Sequence, residues 1–399
     1  MMAAIRAVRL GQEVTLVERN SQLGKKLLLS GKGRCNITNT CDLNSFIDRF
    51  SGNGQFLRDA FAKFFNTDLI KFFEERGLKL KVERQLRVFP LSDRSNSILE
   101  VLEKELRGNK VDIIFQSRVK NIIVKDNQVK GVLLAGGKNI PAEKVILATG
   151  GISYAFTGSS GDGIKIAEES GHRVIPLRQG LVPLETKQKF PAQLKGLTLK
   201  NIRLIFSDTK KEAVSSVGEL LFTPSGISGP LVLSLSGQVV DWLAQNKSVY
   251  VDIDLKPGLS AEQLDARLLR EINLNSKKSI KNFLVSLLPK KLIELSLGIL
   301  KIPAEKKANQ LTQAERKNIV SLLKAFRLDI ARALPIEEAM VTKGGVSLKN
   351  INPRTMESRL IKGLYFAGEM MDVDADTGGF NLQAAFSTGY LAGESAALS

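Results

Sequence analysis

The residue types in this sequence that could do chemistry at a defined spacing are glycines, lysines and acidic residues at the ends of apolar runs. Nucleophile–base sets are missing: there is one histidine, His172, and two cysteines, Cys35 and Cys41. Cys35 has no base near it in sequence, so it reads as a small buried residue rather than a nucleophile. The cysteines have no other soft ligands beside them, and no metal site is expected. Two cysteines also exclude a disulfide framework and fit a reducing, cytoplasmic setting. No catalytic acid or base stands out, which points to chemistry carried by a cofactor.

Four stretches have the texture of a nucleotide site. Ala3, Ala4, Ile5, Ala7 and Val8 are spaced as a helix packing on a sheet, Gly11 ends it, and Val14-Thr15-Leu16-Val17 reads as a buried strand ending at Glu18. An acidic residue in that place hydrogen-bonds ribose hydroxyls in a dinucleotide-binding β-α-β unit; the plain alternative is a surface glutamate. Next, "LGKKLLLSGKGRCNITN" reads as a loop in which Gly24, Gly31 and Gly33 allow close backbone approach and Lys25, Lys26, Lys32 and Arg34 supply cations. That combination suits a phosphate-bearing ligand, although the Gly-Lys-Ser/Thr of a P-loop is absent; a flexible basic loop is the alternative. "VILATGG" is an apolar strand stopping on glycine, where a ligand would lie against bare backbone, and Gly161-Asp162-Gly163 after it reads as a helix start. Finally, "GLYFAGEMMD" puts a strand before Ala367-Gly368-Glu369, and Gly378-Gly379 stands at the mouth of an apolar helix. Free N–H groups and partial positive charge there suit a flavin's anionic edge or a phosphate; a core strand and helix is the alternative.

The elements that must position these stretches fall into zones. Helix, strand and basic loop occupy residues 1–40. Helices over Asp59 to Arg76 and Ser95 to Leu106 follow, then short strands with tight turns at Asp126-Asn127 and Gly136-Gly137. From about residue 176 the chain turns β-rich, with candidate strands in "IRLIF", "GELLF", "LVLSLS" and "VYVDIDL". From about residue 258 it becomes helical and lysine-rich, and the last zone returns to strand–glycine–helix. Leaving an α/β pattern and coming back to it predicts an inserted domain.

Composition bounds the rest. With 399 residues, 43% hydrophobic and 25% charged, the chain has the make-up of a multidomain globular protein. No apolar run reaches the roughly 20 residues that cross a bilayer, and no membrane partner is expected. The formal charge of +17 is unusual. Its excess reads as Lys pairs on predicted helices, Lys277-Lys278, Lys290-Lys291 and Lys306-Lys307, with no nucleic-acid-binding motif beside them. The expectation is therefore solvated surface, with a nucleic-acid partner disfavoured.

Taken together, "SGKGRCNITN", "LATGG", "TGSSGDG", "VTKGGV" and "INPRTMESRLIKGLYFAGEMMDVDADTGGFNLQ" resemble the BaiN-like bacterial flavoproteins, also labelled aminoacetone-oxidase-type FAD-binding enzymes, within the wider class sharing the glutathione-reductase type of FAD domain. The resemblance runs in order along essentially the whole chain. It implies an α/β fold: a discontinuous Rossmann-like FAD-binding domain (1–175 and 336–399), an inserted β-barrel-like domain (176–257) and a small inserted helical domain (258–335). It implies FAD as cofactor. Carried over by position, Glu18 would hold the adenosine ribose, with Arg19 beside it, and Lys26, Gly31, Gly33, Arg34, Cys35 and Asn36 would line the cleft. Val119 would meet the adenine through its backbone. Ala148, Thr149 and Gly150 would pass beside the cofactor, Gly368 and Glu369 would flank the pyrophosphate and ribityl chain, and Gly379, Phe380 and Asn381 would lie near the isoalloxazine.

The pattern departs from that family at one place. Its members begin with a strand and a glycine-rich turn leading into the helix that here starts at Met1. The expectation is a start codon placed too late: the chain as written would bind FAD poorly, and one longer by about 15–20 residues would bind it well. The function implied is an FAD-dependent oxidoreductase acting on a small organic substrate held between the flavin and the inserted domain. NAD(P)H is a possible electron donor, and oxidase and reductase both stay open. The alternative is a non-catalytic or inactive flavin- or nucleotide-binding protein.

Overall fold

The computed structural model describes residues 1–399, which form two compact units, Met1–Gly180 with Pro335–Ser399, and Leu181–Leu334. The first division falls after Gly180 rather than after residue 175, because Val174–Gly180 is a strand paired antiparallel with Val341–Val346.

In the first unit, helix Met2–Arg9 leads into strand Thr15–Val17, which pairs in parallel with Asp112–Ile114. A second parallel pair joins Val145–Leu147 to Leu364–Phe366. Parallel strands need long crossovers, and this one spans the residues of the entire second unit. The C-terminal helix Phe380–Leu398 crosses Met2–Arg9 at glycine. A Cβ on Gly393 would stand 2.3 Å from the Ala3 carbonyl oxygen, whereas one on Gly389 would keep 3.6 Å from Ala3. The glycine sets how closely the two backbones approach. The Asp126-Asn127 turn, with φ of 52° and 54°, closes the hairpin Val119–Lys125/Gln128–Leu134 in the left-handed conformation that such two-residue turns require.

The helix expected over Asp59 to Arg76 is two helices, Arg58–Lys63 and Asn66–Glu74. Phe64 between them is extended and stacks on Tyr390 with centroids 4.5 Å apart, and Asn66 Nδ2 donates to the Asn39 carbonyl at 2.8 Å. Asp68 then accepts the Phe65 N–H at 2.8 Å and restarts the helix. Tertiary contacts of two aromatic rings and one amide outweigh a continuous helical pattern.

The second unit is built on an antiparallel ring. Thr198–Ser207, Gly218–Phe222, Gly226–Ser228, Leu184–Thr186, Phe326–Ala333 and Val249–Asp254 pair in that order, and the last pairs back with the first. Alternation fills the barrel: Leu204, Phe206, Val251, Ile253, Leu328 and Ile330 are all buried. "LVLSLS", expected as a strand, lies in helix Pro230–Ala244. Pro230 at its first turn is preorganised for helix, and burial of Leu231, Val232, Leu233 and Val239 hides the helical period behind a run of apolar residues. Helices Ala261–Leu274, Lys290–Leu300 and Gln313–Lys324 complete the unit. Within the zone expected to be helical from about residue 258, Phe326 instead opens the Phe326–Ala333 strand.

Candidate cofactor site

The first unit gathers most of the sequence-predicted residues into two linked clusters. Around the end of strand Thr15–Val17, Glu18 Oε1 accepts from the Asn20 backbone N–H and Nδ2, both at 2.8 Å. The Arg19 guanidinium reaches Ser160 and Asp162, the latter at 3.2 Å. Arg118, just before Val119, grips Asp162 through two bonds of 2.7 Å. That pairing holds the Asp162 carboxyl below its usual range. Gly158 is required here, because a Cβ on it would sit 2.5 Å from Asn20 Nδ2.

The second cluster forms where the two central strands stop. Strand Val145–Leu147 runs into exposed Ala148 and Thr149 and then Gly150, and its partner strand runs into Gly368, whose N–H donates to Thr388 Oγ1 at 3.0 Å. Lys26 Nζ donates to Ser153 Oγ at 2.8 Å and to Glu369 Oε2 at 2.6 Å. Glu369 Oε1 accepts the Thr342 N–H at 2.7 Å, and Thr342 Oγ1 accepts the Ile152 N–H at 2.8 Å. A Cβ on Gly151 would be 2.1 Å from Thr342 Oγ1. Basic loop, strand ends and acidic loop are thereby fixed to one another.

Three helices bordering these clusters, Lys25–Gly33, Asp162–Glu169 and Phe380–Leu398, start at Gly24, Gly161 and Gly379, all left-handed and without a side-chain cap. Uncapped helix starts present N–H donors and positive dipole ends. Lys25–Gly33 was expected as loop throughout. Its first residues are helical, and the chain breaks at Ser30–Lys32, where Gly31 and Lys32 are left-handed.

Not every predicted residue turns toward this surface. Arg34 is held by Glu83 and by Asp93 at 2.8 Å, with its guanidinium 4.1 Å over the Phe89 ring, so it ties its loop to the paired strands Leu80–Glu83 and Arg87–Pro90. Cys35 is fully buried, and desolvation pushes its thiol up to about 12, which leaves it inert at neutral pH. Phe380 is buried, its ring 4.7 Å from Phe46. Asn381 holds the preceding loop, accepting from the Ala375 N–H at 2.9 Å and donating to the Ala375 carbonyl at 2.8 Å. Gly33 has open space on its Cβ side, and Gly379 lies against Thr38, 2.5 Å from a would-be Cβ.

A dinucleotide fits these residues on two observations. The side-chain oxygen of Asn36 is buried without a hydrogen-bond partner, an acceptor that a ligand's hydroxyl or N–H would satisfy. Gly150 and Gly368, left-handed at φ of 75° and 74° and meeting nothing closer than 3.6 Å at the position of a Cβ, leave bare backbone where a flat ligand can lie. Reading single motifs missed Ser153, Thr342, Asn20, Arg118 and Asp162 as site builders. No local signal marks Ser153 or Thr342, whereas Asp162 was visible as a helix start.

Parallel strands ending at glycines, an acidic residue closing the first of them and uncapped glycine-started helices define a Rossmann-type nucleotide-binding unit. The chain belongs to the family described as HI0933-like protein Rossmann domain, whose model matches residues 1–395. It is 33% identical to the 3-dehydro-bile acid delta(4,6)-reductase of Clostridium scindens over 402 aligned residues, covering 100% of this chain and 96% of that protein. It is also 33% identical to the ribosomal RNA dihydrouridine synthase of Haemophilus influenzae, covering 98% and 94% of the two chains. Among solved structures, a 3-ketosteroid delta1-dehydrogenase from Sterolibacterium denitrificans shares the fold with a TM-score of 0.54 at 13% identity, over 100% of this chain and 97% of that one. No helix is long and apolar enough to cross a membrane.

Proposed function

We propose that this chain is an FAD-dependent reductase that adds hydrogen across a carbon–carbon double bond conjugated to a carbonyl in an organic substrate, drawing electrons from NADH or NADPH. The observation that carries the cofactor half is the Lys26–Ser153–Glu369–Thr342 network locking the glycine ends of the two central strands. The names of the bile-acid reductase and the dihydrouridine synthase support the substrate half, since each describes reduction of such a bond.

Bound FAD supplies the two-electron redox chemistry. Glu18 would accept hydrogen bonds from the adenosine ribose, and Arg19 stands beside it. Lys26 and the uncapped N–H groups of the helix that Gly24 opens would face the anionic groups. Gly150 and Gly368 would give the ring system backbone to lie on, and Asn36 Oδ1 would accept a cofactor N–H or O–H.

A second reading places the double bond in a uracil ring of RNA, and one observation favours it. Residues 256–324 carry fourteen Lys and Arg against six Asp and Glu, nearly half of the chain's formal +17. The test is anaerobic. NADH or NADPH should bleach the visible absorbance of the flavin-loaded protein, and a 3-oxo-4-ene steroid or a uridine-containing RNA should restore it with formation of the saturated product. Restoration by dioxygen alone would make the protein an oxidase and overturn the proposal.

A further inference from the structure

In sequence, Lys277-Lys278 and Lys306-Lys307 fall on expected helices; in the fold they are paired turns. The Ile280 N–H donates to the Lys306 carbonyl at 2.8 Å, the Ala308 N–H donates to the Lys278 carbonyl at 2.9 Å, and Ser279 bridges Lys307 antiparallel. The pairing brings Lys277, Lys278 and Lys307, all exposed and without an ion-pair partner, to one edge of the second unit. Lys306 differs, being spent on Glu315 at 2.7 Å. The Lys281–Glu294 ion pair, at 2.8 Å, ties helix Lys290–Leu300 to the same edge, and that helix opens with exposed Lys290 and Lys291 and no acidic residue in its first turn.

These positions are electrostatically unfavourable for the isolated protein. Lys290 and Lys291 sit at the positive end of a helix dipole, where cations are disfavoured. Lys307 pairs with Ser279, which sets it diagonally across the antiparallel pairing from Lys277 and beside Lys278, so three like charges share one short edge. Most acidic residues nearby are already engaged: Glu271 with Arg267, Asp265 with Arg316, Glu315 with Lys306 and Glu294 with Lys281, which leaves Glu305 as the one carboxylate beside the edge with no ion pair, against five lysines. A concentrated, unneutralised charge of this kind is relieved by a polyanion.

We propose that this lysine edge, Lys277, Lys278, Lys290, Lys291 and Lys307, binds the phosphodiester backbone of RNA. The proposal rests on the second reading above for the identity of the polyanion. No aromatic ring of the second unit is exposed for base stacking, so the edge reads phosphates and not sequence.

The test uses the full-length flavin-loaded protein and a fluorescent single-stranded RNA. Lys277→Gln/Lys278→Gln/Lys307→Gln should weaken binding at least ~10-fold at about 0.1 M salt and flatten the slope of log K against log salt by about 2, since each phosphate contact contributes about 0.7 for single strands. Lys104→Gln/Lys125→Gln/Lys138→Gln, exposed lysines of the first unit, should bind as the parent does. RNA affinity unchanged in the first variant would overturn the proposal. So would binding by these lysines to phosphatidylglycerol vesicles with no binding to RNA. Reoxidation of the reduced flavin by a steroid enone and by uridine-containing RNA, followed on the same samples, reads the catalytic proposal separately: loss of RNA binding with steroid-enone turnover intact supports the edge, and failure with both substrates while RNA binding is retained at these lysines overturns only the reductase reading.

Discussion

Lys26 and Glu369, from opposite ends of the chain, meet at 2.6 Å with Ser153 bonded to both. One lysine therefore holds the basic loop against the acidic loop after the last central strand. The ion pair is part-exposed, so its own contribution to stability is small. Its value lies in fixing where two ligand-facing loops stand.

Removing that lysine should separate binding from folding. Lys26→Met is expected to weaken FAD at least ~10-fold while shifting unfolding free energy by under ~1 kcal/mol. Titration of the apoprotein with FAD, alongside urea melts, checks both halves. An unchanged flavin affinity would remove Lys26 from the cofactor site.

Asn36 should behave in the same direction for a different reason. Its buried oxygen has no partner, and leaving such an acceptor unsatisfied costs about 1–3 kcal/mol. Asn36→Ala is therefore expected to leave the apoprotein as stable or more so, while FAD binds more weakly. Lower apoprotein stability with unaltered FAD binding would contradict this assignment.

The crossing of helices Met2–Arg9 and Phe380–Leu398 predicts a contrast between two glycines. Gly393→Ala puts a methyl 2.3 Å from the Ala3 carbonyl oxygen, and Gly389→Ala puts one at 3.6 Å. The first should destabilise by about 1–3 kcal/mol, as overpacking does; the second should be neutral or mildly stabilising through helix propensity. Equal urea midpoints for the two variants would refute the close approach.

His172 and Asp376 should give opposite pH dependences. His172 is buried between the Ala167 carbonyl, 3.1 Å from Nδ1, and Ser358 Oγ, 2.7 Å from Nε2, and desolvation lowers its pKa. Because Ser358 Oγ already accepts the Leu360 and Ile361 N–H groups, it donates to Nε2, and Nδ1–H donates to Ala167. The unfolded chain binds the extra proton, so this neutral ring's stabilisation is present above about pH 6.5 and is lost as pH falls below it. Asp376 is raised by desolvation to about 6 despite Arg49. Its native form holds a proton that the unfolded chain releases, so its contribution is full below about pH 4 and is lost as pH rises through about 6. Asp376→Asn should thus gain on the order of 1 kcal/mol at pH 7, discounted for partial exposure, and nothing near pH 4. Urea midpoints of His172→Gln, Asp376→Asn and parent across pH 4–8 test both signs.

The sequence was most legible where local chemistry and tertiary role coincide. Thr15–Val17 ending at Glu18, Val145–Leu147 ending at Ala148, and Gly379 opening the last helix were all visible, because short apolar runs ending on an acidic residue or glycine, and paired glycines before an apolar helix, mark them directly. "LVLSLS" was not, since a helix buried on most sides reads as an apolar run. The break at Phe64 depends on Tyr390, far away in the chain. Phe380 sits next to the site in sequence yet turns into the aromatic core against Phe46. The lysine pairs looked dispersed because only the Ser279–Lys307 pairing brings them together.

The parallel pairing of Val145–Leu147 with Leu364–Phe366 sets an order of events during synthesis. The first strand leaves the ribosome with its partner still untranslated, and the barrel, whose strands all lie between Leu184 and Ala333, has all its partners first. The inserted unit can close while the nucleotide-binding unit waits with an apolar strand edge unpaired. Such an interval is when a nascent chain is open to mispairing and to chaperones. Translation of Leu364–Phe366 therefore sets the earliest moment at which the two central strands can close on each other.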